Sequence, residues 1–197
     1  MQIPKPDEHT PRWGNVFTRA LGRLVLASLG WRLSGNLPPA PRVVMIAAPH
    51  TSNWDYLLGM AAIFALGIRM NYLAKHSAFR GPLGWFMRWT GGIPVNRKAP
   101  GDVLERAIQM LRESPKMWVG IAPEGTRKRI ERWKTGYHRI AMGAGVPIWP
   151  VALDYPNKTI AMLPLETLSG DVDADEAMLK ALYSREMARH PASFWTG

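Results

Sequence analysis

The sequence predicts an α/β fold: a mixed, largely parallel sheet flanked by helices, preceded by an amphipathic helix suited to an interface. Three observations carry that expectation. Apolar runs of strand length alternate with helical patterns, glycine- and proline-rich turns separate them, and 197 residues suffice for one domain with a substantial core. Pro38-Pro39-Ala40-Pro41 is the clearest punctuation. It reads as a stiff linker between an N-terminal segment, residues 1–37, and a main domain, residues 38–197.

From Val16 to Leu33 the chain places Arg19 and Arg23 on one helical face and Phe17, Leu21, Leu24 and Leu26 on the remainder. A membrane span needs about 20 mostly apolar residues, and this run is too short and too charged. An interfacial amphipathic helix is the better reading, with a helix packed on the protein's own core as the alternative. The preceding residues hold Asp7 and Glu8 and no compact apolar core, so no secretory leader is expected. The main domain begins with a buried strand, Val43 to Ala48, stopped by Pro49. Further strands are expected near Met70, Met117 and Ile148. Helices are expected over Asn53 to Leu66, Gly101 to Arg112, Lys134 to Met142 and Ala174 to Arg189. The run Val146 to Leu153 contains Pro147 and Pro150. Proline cannot donate to a central ladder, which predicts an edge strand or a bulge.

The strand from Val43 leads into Pro49-His50-Thr51-Ser52-Asn53-Trp54-Asp55. On an unbroken helix, positions five apart point about 140° away from each other, so His50 and Asp55 would not meet. A turn at His50, with Asp55 in the first turn of the following helix, brings them together and sets the carboxylate where the helix dipole favours it. Asp55 would then hold one imidazole nitrogen while the other faces substrate. This is two-thirds of a serine-hydrolase triad, and the missing nucleophile is a hydroxyl of the substrate. Taken alone, the spacing also fits a capping histidine or a buried structural pair.

Three further blocks follow. Gly91-Gly92 permits a sharp turn and close backbone approach, after which Ile93-Pro94-Val95 is extended and ends at Asn96 and Arg97. Met117 to Ala122 is a strand, and the turn Pro123-Glu124-Gly125-Thr126 presents Arg127. Two guanidinium groups at two strand ends make an anion clamp, because the planar fork binds phosphate or carboxylate through paired, charge-assisted hydrogen bonds. Ordinary surface arginines are the alternative. Glu124 is open between pairing with an arginine, binding an acceptor hydroxyl and capping a helix. The last block, Gly145-Val146-Pro147-Ile148-Trp149-Pro150-Val151, reads as core packing and receives no catalytic residue.

In this fixed order the four blocks resemble those of the glycerolipid acyltransferase superfamily, exemplified by the 1-acyl-glycerol-3-phosphate acyltransferases. The resemblance runs from about Val43 to Tyr155. It implies transfer of a fatty acyl group from acyl-CoA or acyl-acyl carrier protein, a co-substrate rather than a cofactor, to the hydroxyl of a lysolipid. It also implies catalysis by His50 and Asp55, with Asn96, Arg97, Glu124, Gly125, Thr126 and Arg127 holding the acceptor. A lyso-aminolipid or glycolipid acceptor, or a silent lipid-binding protein, are the alternatives. Bulky Trp54 inside the first block and the short N-terminal region depart from the family's commoner form.

Composition narrows the chemistry further. The chain has no cysteine, which excludes disulfides, thiolate metal sites and cysteine nucleophiles. Its five histidines show no metal-ligand spacing, and His76 and His138 read as surface or packing residues. No Gly-x-Gly-x-x-Gly or Walker-type loop is present. The net charge of +10 and pI near 10.3 imply an anionic partner. Nucleic acid would leave the ordered motifs unexplained. An anionic membrane surface fits better, with Trp13, Trp31, Trp85, Phe86, Trp89 and Trp133 as interfacial anchors, or several of them as core. A peripheral position on the cytoplasmic face of a membrane is expected.

Overall fold

The computed structural model describes residues 3–95 and 100–195. Seven strands form one sheet in the order β1-β7-β6-β2-β5-β3-β4. They are β1 (Arg32–Gly35), β2 (Arg42–Ala48), β3 (Asn71–Lys75), β4 (Gly92–Val95), β5 (Met117–Ile121), β6 (Ile148–Asp154) and β7 (Thr159–Met162). Strands β2 to β6 all run parallel, while β7 pairs antiparallel with β6 and carries β1 parallel to itself. The sheet is therefore mixed and mostly parallel, as its apolar, β-branched strands require when both faces are covered.

Alternation along β2 shows the layering. Val43 packs in one core with α1 (Val16–Ser28) and α2 (Trp54–Leu66), whereas Val44, Ile46 and Ala48 face a second core. That second core is closed by α4 (Pro100–Glu113), α5 (Gly136–Ala144) and α6 (Val172–Lys180). The short α3 (Gly81–Trp89) lies on the α2 side, where Tyr72 of β3 bonds the Tyr56 hydroxyl of α2 at 2.9 Å and the Thr90 hydroxyl at 2.8 Å.

Two helices differ from their sequence reading. The run from Val16 is helical only to Ser28; Gly30 takes a left-handed φ of 73°, and Arg32–Gly35 become a strand paired with β7. Glycine just past a helix end is the ordinary stop signal, and the apolar periodicity beyond it belongs to the strand. The C-terminal helix stops at Lys180, and the chain continues through two short 3-10 turns, Arg185–Met187 and Pro191–Ser193. There Tyr183 and Ala188 are buried and the Met187 carbonyl accepts the Tyr155 N–H, so tertiary contacts override a run of good helix formers.

The proline-bearing strand β6 is central, not an edge, and it solves the ladder problem with a bulge. Val151 pairs with Met162, yet Ile148 pairs with Glu166, so one extra residue is accommodated opposite Pro150. The Pro150 carbonyl still accepts the Leu163 N–H at 3.0 Å. The missing donor falls where the pairing is already interrupted.

Candidate active site

The C-terminal ends of the parallel strands form the edge from which the site is built, and the topology reverses there. β2 is followed in sequence by α2 and β3, but β5 and β6 are its neighbours in the sheet. Ligands of open α/β sheets bind at such a crossing point. The tails of β5, β2 and β6 carry Glu124, His50 and Tyr155 respectively.

Asp55 occupies the first turn of α2, with its side chain 1% exposed. Its Oδ2 lies 3.1 Å from His50 Nδ1 and accepts the Ser52 N–H at 2.8 Å. The Ser52 hydroxyl in turn accepts the Trp54 N–H at 3.2 Å. Asn53, for all its capping propensity, makes no side-chain cap, and the cap bonds pass to Ser52 and Asp55. With Nδ1–H directed at a carboxylate, the imidazole keeps its lone pair on Nε2. The His50 side chain is partly open to solvent, so that nitrogen is within reach of a substrate proton.

Among the described residues Glu124 pairs with no arginine and caps no helix. It is buried, and Oε1 accepts the His50 backbone N–H at 2.8 Å, which pins the turn that presents the imidazole. Oε2 is buried without a partner. Burial pushes this carboxyl up to about 7, against the hydrogen bond from His50. Gly125 follows at φ 61°, a left-handed conformation that favours glycine, and an added Cβ would push the Lys134 side chain aside from 2.8 Å. Thr126 accepts the Lys128 N–H at 3.3 Å, and Arg127 is exposed. Asn96 and Arg97 follow β4 directly and lie outside the described residues.

Sequence reasoning missed two residues. The Tyr155 hydroxyl donates to Asp55 Oδ1, and the Arg189 guanidinium stands 5.7 Å from the Tyr155 ring and 5.0 Å from the Trp54 ring. Burial, then the Asp55 carboxylate, push the Tyr155 phenol up, which keeps it a donor. Neither residue sits in a local motif. The His190 N–H also reaches the Thr51 hydroxyl at 3.2 Å, so the C-terminal segment straps down the first block.

A second histidine–carboxylate pair serves as a control. His138 Nε2 meets Asp175 Oδ2 at 2.9 Å, but both are fully buried. Hydrogen bonds from Ser169, His138 and Gly170 outweigh burial and hold Asp175 at about 2. Without access to solvent this pair ties α5 to α6. Trp31 and Trp133 are likewise core residues rather than interfacial anchors. Part of the basic run around Trp133 is neutralised, since Arg132 pairs with Asp173 and Glu176.

Beneath the dyad, between α2 and the sheet, lies an apolar cavity of about 80 Å³. Met45, Gly59, Ile63, Met70, Trp149 and Val151 line it, and Asp55 is on its wall. It has room for several waters but almost nothing for them to bond.

The acyltransferase family model matches residues 32–154, from β1 through the end of β6. The chain belongs to the acyltransferase family. Among solved structures it is similar to the 1-acyl-sn-glycerophosphate acyltransferase PlsC from Thermotoga maritima, at 19% identity and a TM-score of 0.57, over 85% of this chain and 80% of that one. That likeness supports the fold. No curated protein matches the sequence. The family assignment makes this acyltransferase an enzyme with an acyl donor and an acceptor.

Proposed function

We propose that this acyltransferase moves a fatty acyl group from an acyl thioester, acyl-CoA or acyl-acyl carrier protein, to the hydroxyl of a lysophospholipid such as 1-acyl-glycerol-3-phosphate. The observation that carries the reading is the juxtaposition of an accessible His50, locked by Asp55, with an apolar cavity that shares the Asp55 wall. A base and an apolar cavity meet at one point. His50 Nε2 takes the proton of the acceptor hydroxyl as that oxygen attacks the thioester carbonyl. Asp55 orients the ring and stabilises the imidazolium. The tetrahedral intermediate collapses with loss of the thiolate, a good leaving group, to which the imidazolium returns the proton. No acyl-enzyme is needed, and most of the rate comes from positioning and from donors to the oxyanion.

In this reading Glu124 fixes the His50 turn, while Asn96, Arg97, Gly125, Thr126 and Arg127 hold the acceptor headgroup. Arginines in these blocks favour a phosphate or another acidic headgroup over a neutral one. The acceptor is presented at the cytoplasmic face of a membrane, to which the protein binds peripherally. Two facts support this: no helix among the described residues is long and apolar enough to cross a membrane, and α1 exposes an apolar stripe. The deciding experiment incubates purified protein with labelled acyl-CoA or acyl-acyl carrier protein and a panel of lysolipids, with products identified by mass spectrometry. Acylation of phosphate-bearing lysolipids is expected. Product only from lyso-aminolipids or glycolipids would move the acceptor class, and no product from any pair would remove the reading.

A further inference from the structure

The family match ends at Asp154, yet the wall of the site nearest Trp54 is completed by residues well beyond it. The chain after α6 is pinned at several points. The Met187 carbonyl accepts the Tyr155 N–H at 3.0 Å, Ala188 is buried, and the His190 N–H donates to the Thr51 hydroxyl at 3.2 Å. The buried Trp195 ring closes the segment, 5.0 Å from that of Trp133. Between these anchors stands Arg189, which is exposed. Its backbone is fixed and its head is open to solvent.

The Arg189 guanidinium stands over two aromatic rings, 5.0 Å from the centre of Trp54 and 5.7 Å from that of Tyr155. Stacking occupies the face of a guanidinium and leaves the N–H groups, which lie in its plane, directed outward. Among the described residues no carboxylate lies within ion-pair distance of it. Both rings border the dyad: Trp54 precedes Asp55 in the chain, and the Tyr155 hydroxyl donates to Asp55. The Arg189 charge also offsets part of the rise that burial imposes on the Tyr155 phenol. The result is a cation beside the His50–Asp55 pair, ordered without being neutralised.

Its placement differs from that of the motif arginines. The Arg127 turn follows β5, on one side of β2, whereas Tyr155 follows β6, on the other, and Arg189 lies over Tyr155. Strand order therefore sets the two arginines on opposite flanks of the His50 turn. An acidic group met there belongs to the acceptor. In acyl-CoA and acyl-acyl carrier protein a whole pantetheine arm separates the thioester from the nearest phosphate. In a lysolipid such as 1-acyl-glycerol-3-phosphate, the phosphate sits on the carbon next to the one that bears the hydroxyl.

We propose that Arg189 is a specificity-determining residue, which binds the phosphate or carboxylate of an acidic acceptor beside the hydroxyl that His50 deprotonates. This deepens the acyl-transfer reading above and rests on it for its substrate, but one arm of its test reads binding alone, so the two fail separately. Trp54, the bulky departure inside the first block, is the platform that holds the guanidinium in place, so less side-chain freedom is lost when the ligand arrives.

Three acceptors built on 1-acyl-glycerol separate the sources of the charge, with a free hydroxyl, a phosphate or a hemisuccinate on the third carbon. Arg189→Met keeps an unbranched side chain over the two rings and removes the charge, and Arg189→Lys keeps the charge without the planar fork. In turnover by the full-length protein, Arg189→Met should raise KM about tenfold or more for the phosphate or the hemisuccinate acceptor, and less than about twofold for the neutral acceptor and the acyl donor. Arg189→Lys should recover part of the loss. The acidic acceptor that shows the loss names the ligand. Equal losses on all three acceptors would make Arg189 a brace for Trp54 and Tyr155, and a loss confined to the donor would assign it to the thioester; either overturns the proposal, as does an unchanged KM for both acidic acceptors. The binding arm uses the phosphate and the hemisuccinate of a monoacylated propane-1,3-diol, which lack the reacting hydroxyl and need no donor. Calorimetry should show at least one of them binding the wild type about tenfold or more tighter than Arg189→Met. That difference without acylation of any acceptor would keep the anion site and remove the reaction, whereas equal affinities for both compounds would remove the site.

Discussion

Tyr155 donates its hydroxyl to Oδ1 of Asp55, while Oδ2 is shared between His50 Nδ1 at 3.1 Å and the Ser52 N–H at 2.8 Å. Each oxygen of a buried carboxylate is therefore engaged, and the ring plane of His50 is set by a carboxylate that cannot swing. Replacing Tyr155 by Phe should lower kcat about tenfold or more, because a hydrogen bond to a charged group contributes ~1.5–3 kcal/mol. Steady-state turnover of folded Tyr155→Phe, set against the wild type, is the measurement. An unchanged kcat would make Tyr155 a packing residue only.

His50→Ala should abolish acyl transfer in a folded protein. Asp55→Asn should lower kcat by roughly 10³- to 10⁴-fold, as a mis-set tautomer does in related dyads. Turnover with purified variants, alongside circular dichroism, checks both. Near-normal activity in folded His50→Ala would sink the proposed mechanism.

The site was legible in sequence wherever its geometry is local, and illegible where it depends on strand order. His50 and Asp55 are joined by one turn, so their spacing was enough. Glu124 reaches His50 only because β5 lies beside β2, and Tyr155 reaches Asp55 only because β6 lies on the other side. No sequence pattern states that order. Arg189 is more distant still, carried in by a C-terminal segment that looked helical. The bulge beside Pro150 was foreseeable from proline chemistry, and the central place of β6 was not. Tryptophan composition could not separate buried Trp31 and Trp133 from exposed Trp85 and Trp89, because the same residue serves cores and interfaces.

Glu124 sets a pH dependence of stability whose sign is fixed. Its folded value is about 7, against 4.5 for the unperturbed group, so the native state binds the proton more tightly. Stability is then fully present below about 4.5 and falls as pH rises through 7, by on the order of 3 kcal/mol for this one group. Asp175, held at about 2, acts in a separate, more acidic window. Glu124→Gln keeps an oxygen for the His50 N–H and cannot ionise. Denaturant midpoints measured from pH 4.5 to 7.5 should decline for the wild type and decline less for Glu124→Gln. Parallel curves would mean that the carboxyl stays charged throughout.

Arg127 is exposed beside the Glu124 turn and has no hydrogen-bond or ion-pair partner among the described residues. Arg127→Ala should therefore cost little in stability. Its effect should fall on a phosphate-bearing acceptor, raising KM by about 10- to 100-fold for a lost charge-assisted bond, with the donor KM nearly unchanged. Steady-state kinetics with each substrate varied separately distinguish the two. Equal effects on donor and acceptor would return Arg127 to an ordinary surface residue.

Gly59 makes the acyl assignment of the cavity testable without touching the dyad. It lies one turn after Asp55 in α2 and lines the cavity, and a Cβ there would meet nothing within 4 Å. The Cβ of Gly59→Leu is thus free of clashes, with the rest of its side chain directed at the cavity, and replacing a poor helix residue should stabilise the helix by ~0.5–1 kcal/mol. The same side chain fills space that a long acyl tail would use. Competition between acyl donors of different length, read by mass spectrometry, should shift toward the shorter chains in the variant, while a short-chain donor keeps wild-type kcat. A raised melting temperature with unchanged chain preference would show that the tail lies elsewhere and that the cavity is only a packing defect.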